Sequence, residues 1–373
     1  MKHLFFCAGE LSGDLHAAKV VARLQGRFRV SGIGGDAMAG AGQETLHHIR
    51  ETAVMGFLEV ARNYPRLRRI LKNACSFLSQ QKPDLLVCVD YPGFNLKLAA
   101  HARDLGIPVL YYIAPKVWAW GKGRIGKMRK VVDRCAVIFP FEEEFFKQRG
   151  IDAQFVGNPL LEQSAASGQK PDFRQALGIA PRARVLGILP GSREQEVRRM
   201  LPAMAQAGSQ LCARGAFDMC VVSRAPGVSR ELVASCARAA GGLSVWEGGT
   251  GSLQREADFL IVKSGTATLE TALERKPFIV VYRTSAFSAF IARSVLRIPD
   301  ISLLNIICGK RVVPELLQEE VTAHAMVQET LAIWENEARK RDILEQENRA
   351  RELLGTKKPS YEVEHMIEEM VNG

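Results

Sequence analysis

The 373-residue sequence has little that would hold it in a membrane or cross-link it. None of its apolar runs approaches the roughly 20 residues that a membrane-spanning helix needs. The apolar stretch at the start, MKHLFFCAGE, is too short for the core of a signal peptide. The eight cysteines are scattered without a C-x-x-C pair, which argues against a zinc site or a disulfide framework. We therefore expect a reduced, cytosolic protein.

Several common ligand-binding motifs are missing as well. The sequence has no G-x-x-x-x-G-K-[ST] loop, and no G-x-G-x-x-G follows the first predicted strand. These absences argue against a P-loop NTPase and, more weakly, against a dinucleotide dehydrogenase. An Asp-x-Asp pair and a recognised nucleic-acid module are also missing, so we expect no metal, no cofactor and no nucleic-acid partner.

Positive charge, by contrast, is in excess. The 50 lysine and arginine residues outnumber the 40 aspartate and glutamate residues, and the formal net charge is +10. Such an excess attracts acidic membrane surfaces, phosphorylated substrates or nucleic acid, although a basic surface without a partner has the same composition.

Short apolar runs alternate with helical patterns along the chain, and the pattern restarts after a polar segment at 163–182. The runs are HLFFCA (3–8), DLLVCVD (84–90), PVLYYIA (108–114), CAVIFP (135–140), RVLGILP (184–190), FDMCVVS (217–223), LSVWEG (243–248), DFLIVK (258–263) and PFIVVYR (277–283). Continuous apolar strands between helices are typical of parallel sheets covered on both faces. We predict an α/β protein with two Rossmann-like, doubly wound parallel-sheet domains that face a cleft, where ligands bind at the carboxyl ends of the strands.

The predicted N-terminal domain spans 1–165 and is joined by a C-terminal helix at 345–373, and the second domain spans 170–340. The pattern does not show where the last helix docks. It also leaves the oligomeric state open, a homo-oligomer included.

The second domain contains a predicted anion site at the corner Gly191–Ser192–Arg193. This corner ends an apolar run, and an amphipathic helix pattern follows it. Ser192 and Gln195 match a capping box, which would place the corner at a helix N-terminus. Free amides and the helix dipole favour a negative charge there, and Arg193 adds a cation. An ordinary turn with a solvated arginine is the alternative.

A second corner of the same kind follows another run. Ser264, Gly265 and Thr266 are small residues that open a helix, and Glu270 lies four residues on. Its carboxylate would accept two hydrogen bonds from a ribose diol, or else it only complements the helix dipole. Two phosphate-type corners and a diol-type acid in one domain indicate a nucleoside diphosphate.

Polar residues also follow two strands of the first domain. Ser12 and Asp14 lie after the first strand, where they either cap the next helix or face a ligand. Asp90 ends the DLLVCVD strand, which makes it a candidate general base, with a turn residue before Pro92 as the alternative.

The segment 52–78 combines an apolar face with interleaved arginines, a pattern typical of a helix on an anionic membrane and also of a core-facing helix. A second basic and aromatic stretch at 115–130 favours the membrane interpretation. The predicted membrane or acyl face consists of Val54, Met55, Phe57, Leu58, Leu67, Ile70 and Leu71.

Taken together, these motifs resemble the lipid A disaccharide synthase family nearly end to end. The matching motifs are GELSGD (9–14), AVMGFLEV (53–60), DYPGFN (90–95), PKVWAW (115–120), FVGNPLLE (155–162), LPGSR (189–193), SGTATLE (264–270) and VPELLQEE (313–320). The resemblance implies a GT-B glycosyltransferase at the cytoplasmic face of the inner membrane. Its reaction would move 2,3-diacylglucosamine from UDP to 2,3-diacylglucosamine 1-phosphate, with inversion, to give a β-1,6 disaccharide 1-phosphate and UDP.

The resemblance also implies roles for individual residues. Asp90 would be the base, with Ser12 and Asp14 beside it. The donor contacts would be Gly191, Ser192, Arg193, Glu247, Gly248, Ser264, Gly265, Thr266 and Glu270, and the acceptor contacts Asn95, Asn305 and Gln318. Asn158 stands where the family usually has histidine, and an asparagine cannot shuttle a proton near neutral pH.

Two other functions fit parts of the pattern. A UDP-N-acetylglucosamine 2-epimerase would explain the UDP corners but not the segment 52–78. A non-catalytic lipid-binding or nucleotide-binding protein would explain the surface but would not need Asp90 as a base.

Overall fold

The structure, a computed structural model, describes residues 1–52, 57–118, 123–164, 173–284 and 300–372, and only the backbone of residues 57–63 and 163–164. The chain divides into two compact units. The first contains Met1–Ala165 and Leu354–Gly373, and the second contains Ala166–Leu353. Among the described residues, no helix combines the length and apolar character needed to cross a membrane.

Each unit contains one parallel sheet, as the continuous apolar runs predict. In the first unit the order is β3-β2-β1-β4-β5-β6-β7, and in the second it is β10-β9-β8-β11-β12-β13. The strands are β1 (His3–Ala8), β2 (Arg29–Gly34), β3 (Glu44–His48), β4 (Leu85–Val89), β5 (Val109–Tyr112), β6 (Arg134–Val137), β7 (Ala153–Phe155), β8 (Val185–Leu189), β9 (Met219–Ser223), β10 (Ser244–Trp246), β11 (Phe259–Lys263), β12 (Phe278–Tyr282) and β13 (Glu315–Leu317).

Helices connect the strands and cover the sheets. In chain order the described helices are α1 (Leu11–Leu24), α2 (Asp36–Gly40), α3 (Ile49–Thr52), α4 (Phe57–Gln81), α5 (Pro92–Asp104), α6 (Gly123–Val131), α7 (Pro140–Lys147), α8 (Pro159–Ser164), α9 (Phe173–Ala176), α10 (Glu194–Ala213), α11 (Arg230–Ala239), α12 (Thr250–Glu256), α13 (Thr266–Leu273), α14 (Leu303–Cys308), α15 (Ala323–Trp334), α16 (Glu337–Leu354) and α17 (Pro359–Asn372). A 3₁₀ turn covers Gln318–Glu320.

Strand order places a switch point in each sheet, where successive connections leave in opposite directions. In the first sheet it lies between β1 and β4, whose ends Ala8 and Val89 are register partners. In the second sheet it lies between β8 and β11, where Leu189 pairs with Val262. Ligands of open α/β sheets bind at such points, outside the carboxyl ends of the strands.

The last helix, α17, packs on the first unit. Val363, Met366 and Ile367 join the cluster of buried residues that includes Leu4 and Phe6 of β1. Ion pairs flank this contact, because Arg23 of α1 and Arg27 of the turn that follows α1 are both bonded to Glu364 of α17. The part of the C-terminal segment 345–373 that belongs to the first unit begins at Leu354, because α16 lies in the second unit up to Leu353.

Helix α4 corrects part of the predicted membrane face. Ile70 is only 1% exposed and packs in the core beneath the first sheet, together with Ala74 and Leu78. Leu71 is half-buried against the same cluster, and Leu67 is also half-buried. The physical reason is that this face of the sheet needs an apolar cover, and the stripe on α4 supplies it. Val54 and Met55 lie outside the described residues, as do the side chains of Phe57 and Leu58.

Candidate active site

The switch point of the second sheet brings the two predicted anion corners together. The chain leaves β8 through Pro190–Arg193, and it leaves the neighbouring β11 through Ser264 and Gly265. Helices α10 and α13 begin directly after these corners. Both corners therefore lie at the carboxyl edge of adjacent strands, with helix N-terminal amides beside them.

The predicted capping box at Ser192 is wrong, because α10 begins later than the pattern suggests. The N-cap position belongs to Arg193, whose backbone is extended, and Glu194 is the first helical residue. Ser192 lies before the cap and is exposed to solvent. Its amide and hydroxyl consequently belong to the open corner and not to the helix.

A cluster of three charged residues links the two corners. The Glu196 Oε1 atom lies 3.3 Å from Arg193 Nη1 and 2.8 Å from Lys263 Nζ. Lys263 is the last residue of β11 and directly precedes Ser264. Gly191 has φ +114, and a Cβ there would lie 2.7 Å from Glu196 Oε2. The corner therefore requires a glycine, both for its backbone conformation and for the carboxylate that packs against it.

The second corner is held by its own loop. Ser264 Oγ donates to the Ile301 carbonyl oxygen at 3.1 Å, and Thr268 Oγ1 donates to the Gly265 carbonyl oxygen at 2.8 Å. Thr266 is exposed at the start of α13. Glu270 lies in the second turn of that helix, 3.5 Å from Gln254 Nε2, and is therefore one turn farther from the helix start than a dipole-complementing acid would be.

The carboxylate of Glu247 forms two ion pairs within the second unit and is not free to contact a nucleobase. Arg224 and Arg230 hold it at 2.8 and 2.5 Å, and their hydrogen bonds lower the pKa of its carboxyl to about 2. The loop turns around Trp246, whose Nε1 atom donates to the Gly249 carbonyl oxygen at 2.8 Å. A Cβ on Gly248 would lie 2.1 Å from the indole ring. The carboxylate of Glu247 is therefore engaged within the protein, and the predicted donor contacts of Glu247 and Gly248 stay predictions.

Asn305 is held by hydrogen bonds within the protein, and its predicted contact with the acceptor stays a prediction. It is 1% exposed, and its amide donates to Val313 and Glu315 while its Oδ1 atom accepts from Val312 and Val313. These four bonds use the full capacity of the side chain.

Gln318 has φ +54, and its Oε1 atom accepts from the Thr284 amide at 3.2 Å. Gln318 was also predicted to contact the acceptor, and its side-chain oxygen already accepts this hydrogen bond within the protein.

The switch point of the first sheet carries Asp90. Asp90 and Tyr91 follow β4 with φ +46 and +49, so two successive non-glycine residues are left-handed. Such backbone costs energy and persists only where the surroundings fix it. Here the Tyr111 hydroxyl donates to the Asp90 carbonyl oxygen at 2.6 Å, and Asn95 Nδ2 donates to the same oxygen at 2.8 Å.

The surroundings of Asp90 make its carboxylate more basic. Burial raises the pKa of the Asp90 carboxyl to about 6, and the nearby Glu10 charge acts in the same direction. The Tyr91 amide and the Lys116 cation oppose this shift without cancelling it. A carboxylate with this pKa accepts a proton more readily than an exposed aspartate and is still ionised at neutral pH.

Tyr91 closes the space beside Asp90. A Cβ on Gly9 would lie 2.1 Å from the Tyr91 ring, so the ring lies directly on the backbone after β1. The Tyr91 hydroxyl donates to the Thr52 carbonyl oxygen at 3.0 Å, and burial raises the pKa of that hydroxyl to about 12. Gly9 in the first motif and Tyr91 in the DYPGFN motif are therefore packing partners.

The Asp14 carboxylate caps a helix, and its predicted catalytic role stays a prediction. Its carboxylate is 1% exposed and accepts hydrogen bonds from the amides of Gly35, Ala37 and Met38 at 2.6–3.1 Å. These bonds satisfy the N-terminus of α2. Ser12, in contrast, is exposed in the first turn of α1.

Asn95 and Asn158 are also framework residues. The Asn95 amide is fully buried and donates to the carbonyl oxygens of Cys7, Val89 and Asp90, so it fixes the backbone at Asp90, and its predicted contact with the acceptor stays a prediction. Asn158 Oδ1 accepts from the Leu160 amide at the start of α8, and its Nδ2 donates to Ile138.

Three charged residues of these sites were missed by the sequence analysis. Lys263 and Glu196 join the two anion corners, and Glu142 is a buried carboxylate that accepts from Trp118 Nε1 at 2.8 Å. Burial raises the pKa of the Glu142 carboxyl to about 7. A lysine as the last residue of an otherwise apolar strand was the available signal for Lys263. Glu142 lies in an ordinary acidic helix start, which gave no signal.

Comparison with known proteins places these features in one family. A family model described as lipid-A-disaccharide synthetase matches residues 4–370. The lipid-A-disaccharide synthase of Myxococcus xanthus is 40% identical over 342 residues, which are 91% of this chain and 89% of the relative.

Two solved structures share the fold at low sequence identity. The UDP-GlcNAc 2-epimerase from Neisseria meningitidis, bound to UDP-GlcNAc, superimposes with a TM-score of 0.66 at 11% identity and covers 100% of both chains. CalG4, the calicheamicin glycosyltransferase, superimposes with a TM-score of 0.62 at 16% identity, covering 100% of this chain and 98% of its own.

Proposed function

This chain belongs to the lipid-A-disaccharide synthase family, a family of glycosyltransferases, and we propose that it joins two diacylated glucosamines. The donor is UDP-2,3-diacylglucosamine, and the acceptor is 2,3-diacylglucosamine 1-phosphate. The products are the β-1,6-linked disaccharide 1-phosphate and UDP. The parallel-sheet fold of both units is that of GT-B glycosyltransferases.

The adjacent corners after β8 and β11 are the observation that carries the donor assignment. They place backbone amides, Arg193 and the small residues 264–266 at one switch point, which suits a nucleoside diphosphate. Glu270 takes the ribose diol, and the backbone at 246–249 contacts the uracil. The acceptor sugar and its acyl chains belong to the first unit.

Asp90 is the general base of this proposal. It removes the proton from the 6-hydroxyl of the acceptor, and the acceptor oxygen forms a bond to C1 of the donor sugar. The bond between C1 and the diphosphate breaks, and its electron pair leaves with UDP. One displacement inverts the α-linked donor to a β product, so no covalent enzyme intermediate is needed. The strained backbone at Asp90, fixed by Tyr111 and Asn95, supports this role because such strain concentrates at functional sites.

The acyl chains of both substrates require access to a membrane, and helix α4 offers a basic surface for it. Arg66, Arg68, Arg69 and Lys72 are exposed along this helix. Each such cation contributes about 1 kcal/mol near an anionic surface. The half-buried Leu67 and the apolar residues 54–58 would complete the contact, at the inner face of the cytoplasmic membrane.

An assay with defined substrates tests the proposal. The enzyme is mixed with UDP-2,3-diacylglucosamine in detergent micelles, with and without the 1-phosphate acceptor, and UDP release is followed. We expect release only when the acceptor is present. A parallel reaction contains UDP-N-acetylglucosamine alone. A changed sugar or UDP release in the reaction with UDP-N-acetylglucosamine alone would instead indicate an epimerase. The absence of UDP release in every reaction would contradict the assignment.

A further inference from the structure

Lys263 lies between the two corners and has no role in the proposed reaction. Its Nζ atom lies 2.8 Å from Glu196 Oε1, and a Cβ on Gly265 would lie 3.7 Å from the same Nζ. The ammonium group also lies 5.6 Å from the centre of the Tyr282 ring, at the end of the next strand, β12. The lysine therefore touches the second corner and, through Glu196, reaches the first.

The position of Lys263 changes the net charge of the groups that would meet the diphosphate. Arg193 and Glu196 form an ion pair at 3.3 Å, and together they carry no net charge. A neutral pair holds a diphosphate poorly, because the carboxylate repels the phosphate oxygens that the guanidinium attracts. Lys263 adds one positive charge to the same carboxylate, so the cluster of three residues carries a net charge of +1.

We propose that Lys263 is a second cation that binds the diphosphate of the donor, beside Arg193. This inference rests on the proposed UDP donor site and adds a residue to it. The charge on the diphosphate increases by one unit when the C1–O bond breaks, because the electron pair stays on the phosphate oxygen. A fixed ammonium group stabilises that extra charge more than it stabilises the intact donor.

A purely structural role is the competing explanation, in which Lys263 only neutralises the half-buried Glu196. The two roles predict changes in different measured quantities. A structural lysine changes the stability of the unliganded protein, whereas a diphosphate-binding lysine changes the affinity for UDP and leaves that for uridine unaltered.

The test is calorimetric titration of the full chain with UDP and, separately, with uridine. We compare wild type with Lys263→Met, Lys263→Arg and Arg193→Ala. Arg238→Met serves as the matched control, because Arg238 is an exposed cation of the same unit, lies in the last turn of α11 and is paired with Glu231 of the first turn. Thermal unfolding of each unliganded variant shows whether it is folded, and Lys263→Gln replaces Lys263→Met if that variant is not.

We expect Lys263→Met to weaken UDP binding about 10- to 100-fold, as the loss of a charged hydrogen bond does. Uridine binding should be unchanged, Lys263→Arg should stay within about threefold of wild type, and Arg238→Met should equal it. Wild-type affinity of the neutral Lys263 variant, alongside weakened binding by Arg193→Ala, would overturn this inference and leave the donor site standing. A wild-type protein that does not bind UDP would overturn both.

Discussion

The Asn95 side-chain amide donates a hydrogen bond of 2.8 Å to the carbonyl oxygen of Asp90, and the same amide lies 3.1 and 3.2 Å from the carbonyl oxygens of Cys7 and Val89. One buried side chain thus connects the ends of β1 and β4, the two strands that flank the first switch point. This connection supports the left-handed backbone of Asp90, so the orientation of Asp90 depends on a residue five positions along the chain.

Replacement of Asn95 by leucine should therefore affect both folding and turnover. The volume is similar, but the carbonyl groups lose their donor, which costs about 2–4 kcal/mol in the free energy of unfolding. Urea denaturation measures this loss, and Asn73→Leu on the exposed face of α4 is the control. We also expect kcat to fall with the KM for the donor unchanged. Equal stability and kcat in both variants would show that Asn95 is dispensable.

Asp90→Asn should nearly abolish turnover while UDP binding is retained, because the amide cannot accept the proton. In the wild type the pKa of the Asp90 carboxyl is about 6. We expect kcat/KM to rise about tenfold per pH unit below pH 6 and to level off above it. Initial rates between pH 5 and 8 provide the profile. A rate that does not change over this range would remove Asp90 as the base.

The same substitution should stabilise the protein at high pH. The pKa of the carboxyl is higher in the folded state than in the unfolded chain, so folding favours the protonated form and the ionised form is destabilising. This destabilisation is fully present above about pH 6 and disappears toward pH 4, and its upper limit is about 2–3 kcal/mol. Unfolding of wild type and Asp90→Asn at pH 8 and pH 4 tests this. The variant should gain stability at pH 8 only.

Arg193→Ala should weaken UDP binding markedly, because it removes the guanidinium from the first corner. The remaining pair, Lys263 and Glu196, carries no net charge. Titration with UDP measures the dissociation constant, and we expect an increase of about 10- to 100-fold. An unaltered dissociation constant would contradict the assignment of this corner to the diphosphate.

Helix α4 should separate stability from membrane binding. Ile70→Ala creates a cavity beneath the first sheet and should cost about 2–4 kcal/mol in the free energy of unfolding. The double variant Arg68→Gln and Arg69→Gln alters only exposed residues, so its stability should not change. It should bind vesicles of anionic phospholipid more weakly, by about 1 kcal/mol per charge. Equal vesicle binding by this variant and wild type would argue against α4 as the contact surface.

The fold was predictable because its signal is repeated many times. Nine of the thirteen described strands, such as HLFFCA in β1, lie in continuous apolar runs, and a parallel sheet covered on both faces is the arrangement that buries such runs. The strands β2, β3, β7 and β13 were not predicted, because they are short or contain polar residues and glycines. The boundary near residue 354 was not predictable, because both α16 and α17 have helical patterns and only packing decides which unit holds each of them.

The sequence predicted only those residues of the candidate site that directly follow the end of a strand. Asp90 and the two corners follow strand ends, and strand ends are visible in the sequence. The roles of Asp14, Asn95 and Asn305 were not visible, because a polar residue in a loop motif looks the same whether it binds a substrate or satisfies buried backbone groups. Their hydrogen bonds to distant amides and carbonyls decide the matter, and only the structure places those groups beside them.

The configuration of the product tests the central claim most directly. The lipid formed from UDP-2,3-diacylglucosamine and the 1-phosphate acceptor is isolated. Its mass is measured by mass spectrometry, and the configuration of its new anomeric centre is determined by proton NMR. We predict a disaccharide 1-phosphate with a β-1,6 linkage, formed with one equivalent of UDP and not formed by Asp90→Asn. An α linkage, or a UDP-sugar altered without transfer to the acceptor, would contradict the account.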